Sequence, residues 1–535
     1  MCSKHLELPG YVKKLGHRLA REDQEFLEAK KAFTIPEPAV FRRILMAYTD
    51  HVHNYLPVLD LGSFLLAICS DKPRPCISMF VLQAVMFAAA SHLNDDTLSL
   101  SGYKNRYQAR KTFYQRAKLL YNFDVEDDDI CLLQGSLLLT LWHGAPDDHT
   151  TSWHWVSLSV TCALKIGLHQ ETSWEMQQRS FRRRIWWSLY VRERLTALWI
   201  QQAPQLKDNE FNVNDLQPED FEGPITHPDI IAYLGESSLL SRPDAQRDLE
   251  LIFIDMSRLC IIIGRILSMK FLFPPKSGNV LLQALPANIE VRSQRQAATL
   301  DGHEAGLLQW LDDHTRRSLL ERGYQTEISK SQDIVFVSVL MTRMLYFTAM
   351  VILHTARAAR PIELGGDPMP AFMKARSAAA GVTSLMAELC NRNLIGYLPI
   401  TGVTVIIPAI AVHMQEMQSL DPQTRIEGYI NLQLGNQCFN ELSDMYVSAG
   451  WPTLFFEALT IGSIARLPFL AFPPNSPHAP HQNSDHSASD NRRDLAVHLT
   501  SNLKNCAPTL DPLLPGLGLS DSVDPSQLCL NAPFL

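Results

Sequence analysis

Apolar residues recur at helical spacing along most of this chain. Val40, Ile44, Leu45, Tyr48 and Val52 fall on one face of a helix, which Pro57 cannot continue. A short helix is predicted over 61–70. The stretch from Cys76 to Leu93 is apolar almost all round, the pattern of a central buried helix. Tyr103, Tyr107, Tyr114, Ala117 and Tyr121 mark a further face. Asp124-Val125-Glu126-Asp127-Asp128-Asp129 precedes a helix predicted over 130–143, where negative charge opposes the positive end of the helix dipole. The run lacks the glycine and distal glutamate of a calcium loop.

Helices are predicted over 152–168 and 177–202, then a loop rich in Asp, Glu, Asn and Pro over 203–229. Ile252, Met256, Leu259, Ile263 and Leu267 mark a long helix. Further helices are predicted over 301–322, 331–360, 368–392, 400–419, 424–449 and 451–464. Strand alternation and hairpin dipeptides are almost absent, and no convincing repeat of fixed period is seen. The expected class is all-α: a large multi-helix domain with a disordered C-terminal tail.

The 535 residues divide by composition into three parts. Residues 1–36 are polar and mixed in charge, like a linker. Residues 37–470 carry the helical pattern. In 471–535, Pro473-Pro474-Asn475-Ser476-Pro477 opens a Pro/Ser/Asp-rich stretch too polar to bury a core, expected to be solvated. The N-terminus lacks an apolar signal core, so secretion is not expected. Leu394 to Val412 is uncharged and about long enough to span a membrane, but Pro399, Gly402 and Pro408 fit a buried core segment better. Arg343 at the centre of Ile334–Leu353 argues against lipid there.

A net charge of -8 disfavours direct binding to nucleic acid or anionic membrane. The ten cysteines are scattered through apolar segments, as expected of reduced thiols, and no zinc ligand set is completed. Phosphate-binding, dinucleotide-binding and nucleophile-elbow motifs are absent. No catalytic, cofactor-binding or metal residue is assigned, and an enzyme is not expected. His143, His149, His154 and His169 cluster in sequence without ligand spacing, and core or capping roles are preferred. Trp142, Trp153, Trp155, Trp186 and Trp187 could line a ligand pocket, although filling the core is the simpler role.

The densest stretch runs from Arg182 to Arg194. Arg182, Arg183 and Arg184 at a helix start read as a solvated face. Arg192, Glu193 and Arg194 point to different sides of the helix, so at least one is expected to turn inward and pair with an acid.

Arg183-Arg184-Ile185-Trp186-Trp187-Ser188-Leu189-Tyr190-Val191-Arg192-Glu193-Arg194, followed by Asp215-Leu216 and Asp220-Phe221, resembles the middle homology region of fungal binuclear-zinc-cluster transcription factors. His51-Val52-His53-Asn54-Tyr55-Leu56-Pro57-Val58-Leu59-Asp60 resembles an early motif of that family. Leu82-Gln83-Ala84-Val85-Met86-Phe87-Ala88-Ala89-Ala90-Ser91 resembles its buried small-residue helix. Trp153-His154-Trp155 with Gly167-Leu168-His169 resembles its central signature. Tyr11-Val12-Lys13-Lys14-Leu15 and Ala32-Phe33-Thr34-Ile35-Pro36 are similar to the approach segment of the cutinase transcription factors.

The resemblance implies a nuclear, helical regulatory domain that controls a DNA-bound factor, often as a homo- or heterodimer, with the transcription machinery as partner and a small-molecule effector as an option. Family members carry six cysteines of a zinc cluster near the N-terminus; here only Cys2 precedes Cys69, so zinc and base recognition are carried over to no residue of this chain. DNA is then reached only indirectly. The alternative reading is a ligand-sensing or protein-interaction module, with an enzyme third.

Overall fold

The computed structural model describes residues 8–14, 19–70, 76–143, 151–235, 239–272, 286–317, 330–358 and 367–450, for 270–272 and 286–297 the backbone alone. Within them the chain forms sixteen α-helices joined by short 3-10 turns, and only two isolated β-bridges. The first eight are α1 (Arg21–Ala29), α2 (Pro38–His51), α3 (Leu61–Cys69), α4 (Met79–Ala89), α5 (Asp95–Ser101), α6 (Arg106–Asn122), α7 (Asp129–Leu139) and α8 (Ser152–Lys165). They are followed by α9 (Arg179–Trp199), α10 (Pro228–Leu234), α11 (Pro243–Leu272), α12 (Pro286–Arg317), α13 (Lys330–Ala358), α14 (Pro368–Asn391), α15 (Thr401–Glu416) and α16 (Pro422–Ser443). The fold is all-α, as the periodicity predicts.

Helix starts follow side-chain chemistry. Asp60, Ser78, Asn94, Asn105, Asp128, Asp367 and Asp421 each accept a hydrogen bond from a first-turn backbone N–H, satisfying donors that have no partner inside the helix. The acidic run before α7 therefore ends in a cap: Asp128 accepts from Ile130 N at 2.8 Å and Cys131 N at 3.2 Å. Proline opens α2, α10, α14 and α16, where a missing N–H costs nothing.

Every residue of α4 is buried. It packs against α2, α6 and α7, while α13 to α16 pack together at the C-terminal side. α9 joins the two groups, touching α7, α8, α11 and α15. One continuous core runs through all of them.

Helix α13 is long and apolar enough to cross a membrane, but most of it is buried against the protein's own helices, notably α14, α11 and α15. Thr401 to Glu416 also forms a buried helix, with Pro408 inside it; the Thr348 hydroxyl of α13 donates to the Val405 carbonyl at 2.9 Å beside that interruption. Both apolar runs are core, as read from sequence.

The differences are local. The polar approach segment contains α1 and buries Val12, Leu27, Ala32 and Phe33, with Val12 bridged to Ile77. Four apolar residues spread over twenty-two positions leave too sparse a pattern to read as packing. α5 and α10 are seven-residue helices, too short for a periodic signal. The segments predicted over 451–464 and 471–535 lie outside the described residues.

Close helix approach depends on glycine at α16. A Cβ built on Gly428 would lie 2.8 Å from the His413 carbonyl oxygen and 3.1 Å from Met417 N, both backbone atoms of the α15 end. Backbone cannot swing aside, so Gly428→Ala is expected to destabilise the protein by about 1–3 kcal/mol. Urea unfolding followed by circular dichroism checks this, and an unchanged midpoint would refute the tight crossing.

Candidate functional site

Helix α9 runs through the middle of the protein with charged residues on an otherwise apolar surface. Burying a charge is costly unless it is paired and hydrogen-bonded. The structure supplies partners from the segment 205–222, which folds back along α9.

At the start of α9, Arg183 Nη1 donates to both carboxylate oxygens of Asp220, at 2.7 and 3.0 Å, and its other nitrogens donate to Glu171. Arg184 Nη2 donates to the Leu59 carbonyl at 2.9 Å and to Glu222 at 2.5 Å. Glu222 in turn accepts from Leu61 N and Gly62 N, the first turn of α3. Glu171 also accepts from Asn214 N at 2.8 Å. Burial pushes the Glu171 carboxyl upward, but the hydrogen bonds from Arg183 and Asn214 outweigh it and hold the pKa below its ordinary value.

In the middle, Trp187 Nε1 donates to the Asn214 carbonyl at 2.8 Å, and Trp186, Trp187 and Tyr190 pack around Phe211. Towards the end, Arg194 donates to Glu193, to the Leu206 carbonyl at 2.7 Å and to Asp208 at 3.3 Å, and lies 4.1 Å above the Tyr190 ring. Glu193 accepts from Gln205 N, and Tyr190 donates to Asp208 at 2.8 Å.

These contacts revise one expectation. Arg183 and Arg184 do not form a solvated face: Arg184 is buried and Arg183 nearly so. The acids that turn them inward come from 171 and 220–222, too far along the chain for a local charge pattern to reveal. Arg192, Glu193 and Arg194 are all buried, where at least one was expected.

Arg192 follows a different rule. Its Nε donates to Thr140 Oγ1 and its Nη2 to the Thr140 carbonyl, both at 2.7 Å, with His143 Nε2 at 3.4 Å. Arg110 of α6 donates to the next carbonyl, Leu141, at 2.9 Å and to the Met445 carbonyl at 3.0 Å. Burial lowers the Arg192 pKa to about 10 and lowers that of Arg110. Sequence reading passed over Arg110, although it stands three residues after Tyr107 and four before Tyr114, on the apolar face of its own helix.

The histidine cluster does not form a centre. His143 stacks on Trp199 and His154 packs edge-on to Trp155, and His149 lies outside the described residues. Among the described residues no three His, Cys, Asp or Glu side chains gather as metal ligands. Trp142, Trp155, Trp186 and Trp187 are buried in the core. A recess of about 500 Å³, including its open mouth, lies elsewhere, between α2, α11 and α13. His51, Tyr55, Phe253, Met256, Met341 and Tyr397 line it, and Asp50 at its edge pairs with Lys330 at 3.0 Å. The described cysteines are free thiols.

A family model described as the fungal specific transcription factor domain matches residues 45–317, from α2 to the end of α12. The chain is 31% identical over 474 residues to cutinase transcription factor 1 beta of Fusarium vanettenii, covering 84% of this chain and 53% of that protein. It is 28% identical over 488 residues to a transcription factor of Fusarium pseudograminearum (86% and 53%) and 28% identical over 473 residues to transcription factor cpaR of Aspergillus oryzae (85% and 76%). The chain thus spans about half the length of the two Fusarium proteins. No solved structure matches it.

Removing one member of a buried pair leaves the other charge unpaired. Asp220→Ala is therefore expected to lower unfolding free energy by about 3–5 kcal/mol, with much of the loss shared with Arg183→Met in the double variant. Urea titration of the three variants checks this; additive losses would refute the pairing. A second expectation concerns Glu250, whose pKa burial raises to about 7, against the pull of Arg247 and Arg184. A raised acid pKa means that the folded state binds the extra proton, so this group weakens the protein as pH rises from about 4.5 to 7. Glu250→Gln should raise the melting temperature at pH 8 and change it little at pH 4; equal shifts at both would contradict the assignment.

Proposed function

Because the chain belongs to the fungal specific transcription factor domain family, we propose that it regulates DNA-templated transcription in the nucleus of fungal cells, with its helical body as the regulatory part. The observation that carries the reading is the coincidence of motif and structure. Arg183, Arg184, Trp186, Trp187 and Asp220, on which the family likeness rests, are the residues that tie α9 to its return segment. The residues that carry the likeness are thus the ones that pack the central helix of this chain.

The helical body reaches DNA indirectly. The whole chain's net charge of -8 repels phosphate, so base reading falls to a separate module, the zinc cluster of full-length family members, or to a dimer partner that carries one. Ile426 and Ile430 lie exposed one turn apart on α16, with Met369 and Met373 exposed on neighbouring α14, which supports an apolar surface for such a partner or for the transcription machinery.

The test is tethering. Fused to an unrelated DNA-binding module in fungal cells, the chain is expected to enter the nucleus and move a reporter away from the level set by the module alone. A fusion that enters the nucleus, binds its sites and leaves the reporter unchanged would overturn the proposal.

A further inference from the structure

Two of the described cysteines meet. Cys390 stands in the last turn of α14 and Cys438 in α16, 48 residues further on, with their Sγ atoms 3.3 Å apart. Both are free thiols. A disulfide holds its sulfurs at about 2 Å, so side-chain movement of about 1 Å separates this contact from a bond. The apolar segments that carry these cysteines give no sign of the pairing in sequence.

The two thiols are not equivalent. Cys390 is partly exposed, whereas Cys438 is fully buried in the core. The thiolate is the reactive form, and burial disfavours it. The proton therefore stays on Cys438, whose S–H donates to Cys390. That hydrogen bond holds the Cys390 pKa below its ordinary value, against burial and the charge of Glu441. The same contact, together with burial, pushes the Cys438 thiol up. Cys69, Cys131, Cys162 and Cys260 are raised as well, with burial the main cause. Cys390 thus combines access, a lowered pKa and a second sulfur within reach.

The pair sits where a bond has mechanical effect. Helix α16 is pressed onto α15 through Gly428 and Gly435, where an added Cβ would strike the α15 backbone or the Ile410 side chain. It meets α14 less extensively than it meets α15. A covalent link from Cys390 to Cys438 reinforces the weaker of these two contacts. It also closes a long loop, which restricts the unfolded chain. The helix so fixed is the one that exposes Ile426 and Ile430.

We propose that Cys390 and Cys438 form a redox modification site, oxidised by a hydroperoxide to a disulfide that locks α16 to α14. The Cys390 thiolate attacks one peroxide oxygen and the O–O bond breaks, leaving a sulfenic acid on Cys390. The departing hydroxide takes up the proton that Cys390 released and leaves as water. The Cys438 sulfur then attacks the Cys390 sulfur and the S–O bond breaks. The Cys438 proton and the sulfenic hydroxyl leave as a second water. The two thiols lose two electrons and the peroxide gains them. In a reducing compartment dithiols return the pair to thiols, so the lock is transient. The step does not depend on the transcriptional role, and goes beyond it by giving the helical body a state that an oxidant sets.

The experiment uses the purified full chain, reduced, desalted and treated with hydrogen peroxide. Remaining thiols are blocked with iodoacetamide and the trypsin digest is read by mass spectrometry. A linked peptide carrying Cys390 and Cys438 is expected, two hydrogens lighter than its separate parts and lost on treatment with dithiothreitol. Exposed Cys76 reports that the oxidant has acted. The bridged chain should melt several degrees higher than the reduced one, and Cys438→Ser should show no such rise. In Cys438→Ser the Cys390 sulfenic acid should persist and be captured by dimedone, whereas Cys438 in Cys390→Ser should not be. Should either variant fail to fold, the peptide map and melting temperature of the unsubstituted chain still decide. Both thiols alkylated after Cys76 has been oxidised, Cys390 bonded to a different cysteine, or a bridge without a rise in melting temperature would overturn the proposal.

Discussion

The central helix can be buried only because its charges are met inside the protein. Arg184, Glu193 and Arg194 are buried and Arg183 nearly so, where water solvates them poorly. The return segment answers each in turn: Asp220 and Glu222 near the start of α9, the Asn214 carbonyl in the middle, Asp208 and the Leu206 carbonyl near the end. A stretch without a long helix of its own thereby becomes part of the core. Because buried ion pairs tolerate little misplacement, they set the register between α9 and 205–222 more sharply than apolar packing alone would.

This constraint orders the neighbouring elements. Glu222 reaches the first turn of α3, and Arg184 reaches the Leu59 carbonyl, so the start of α9 fixes the α2–α3 corner. Asp208 binds Arg265 of α11 at 2.9 Å, which brings the long following helix into the same network. On the far side Arg110 joins α6 to the α7 end and to the Met445 carbonyl beyond α16. The two halves of the helical body are thus linked through charged groups near one central helix, and the recess opens between α2, α11 and α13 close to that link.

Much of this was legible in the sequence. Helices α2, α4, α9 and α13 follow from three-to-four spacing or unbroken apolar runs, and the α7 start from its acidic cap. The inward turn of Arg183 and Arg184 was not, because their acid partners lie 12 to 38 residues away and a triplet of arginines looks like surface when only neighbours are considered. Arg110 left a trace, a charge on a tyrosine-rich face, but that trace points equally to a snorkelling side chain at a helix edge. That neither Arg110 nor Arg192 meets an acid among the described residues is visible only in three dimensions.

Native-state amide hydrogen exchange tests the central claim most directly. If the return segment is held by the charges of α9, the amides of Gln205, Asn214 and Gln217, each donated to a buried carboxylate, should exchange as slowly as those in the middle of α9. Exchange of those three at the rate of an open loop, with α9 still fully protected, would contradict the account.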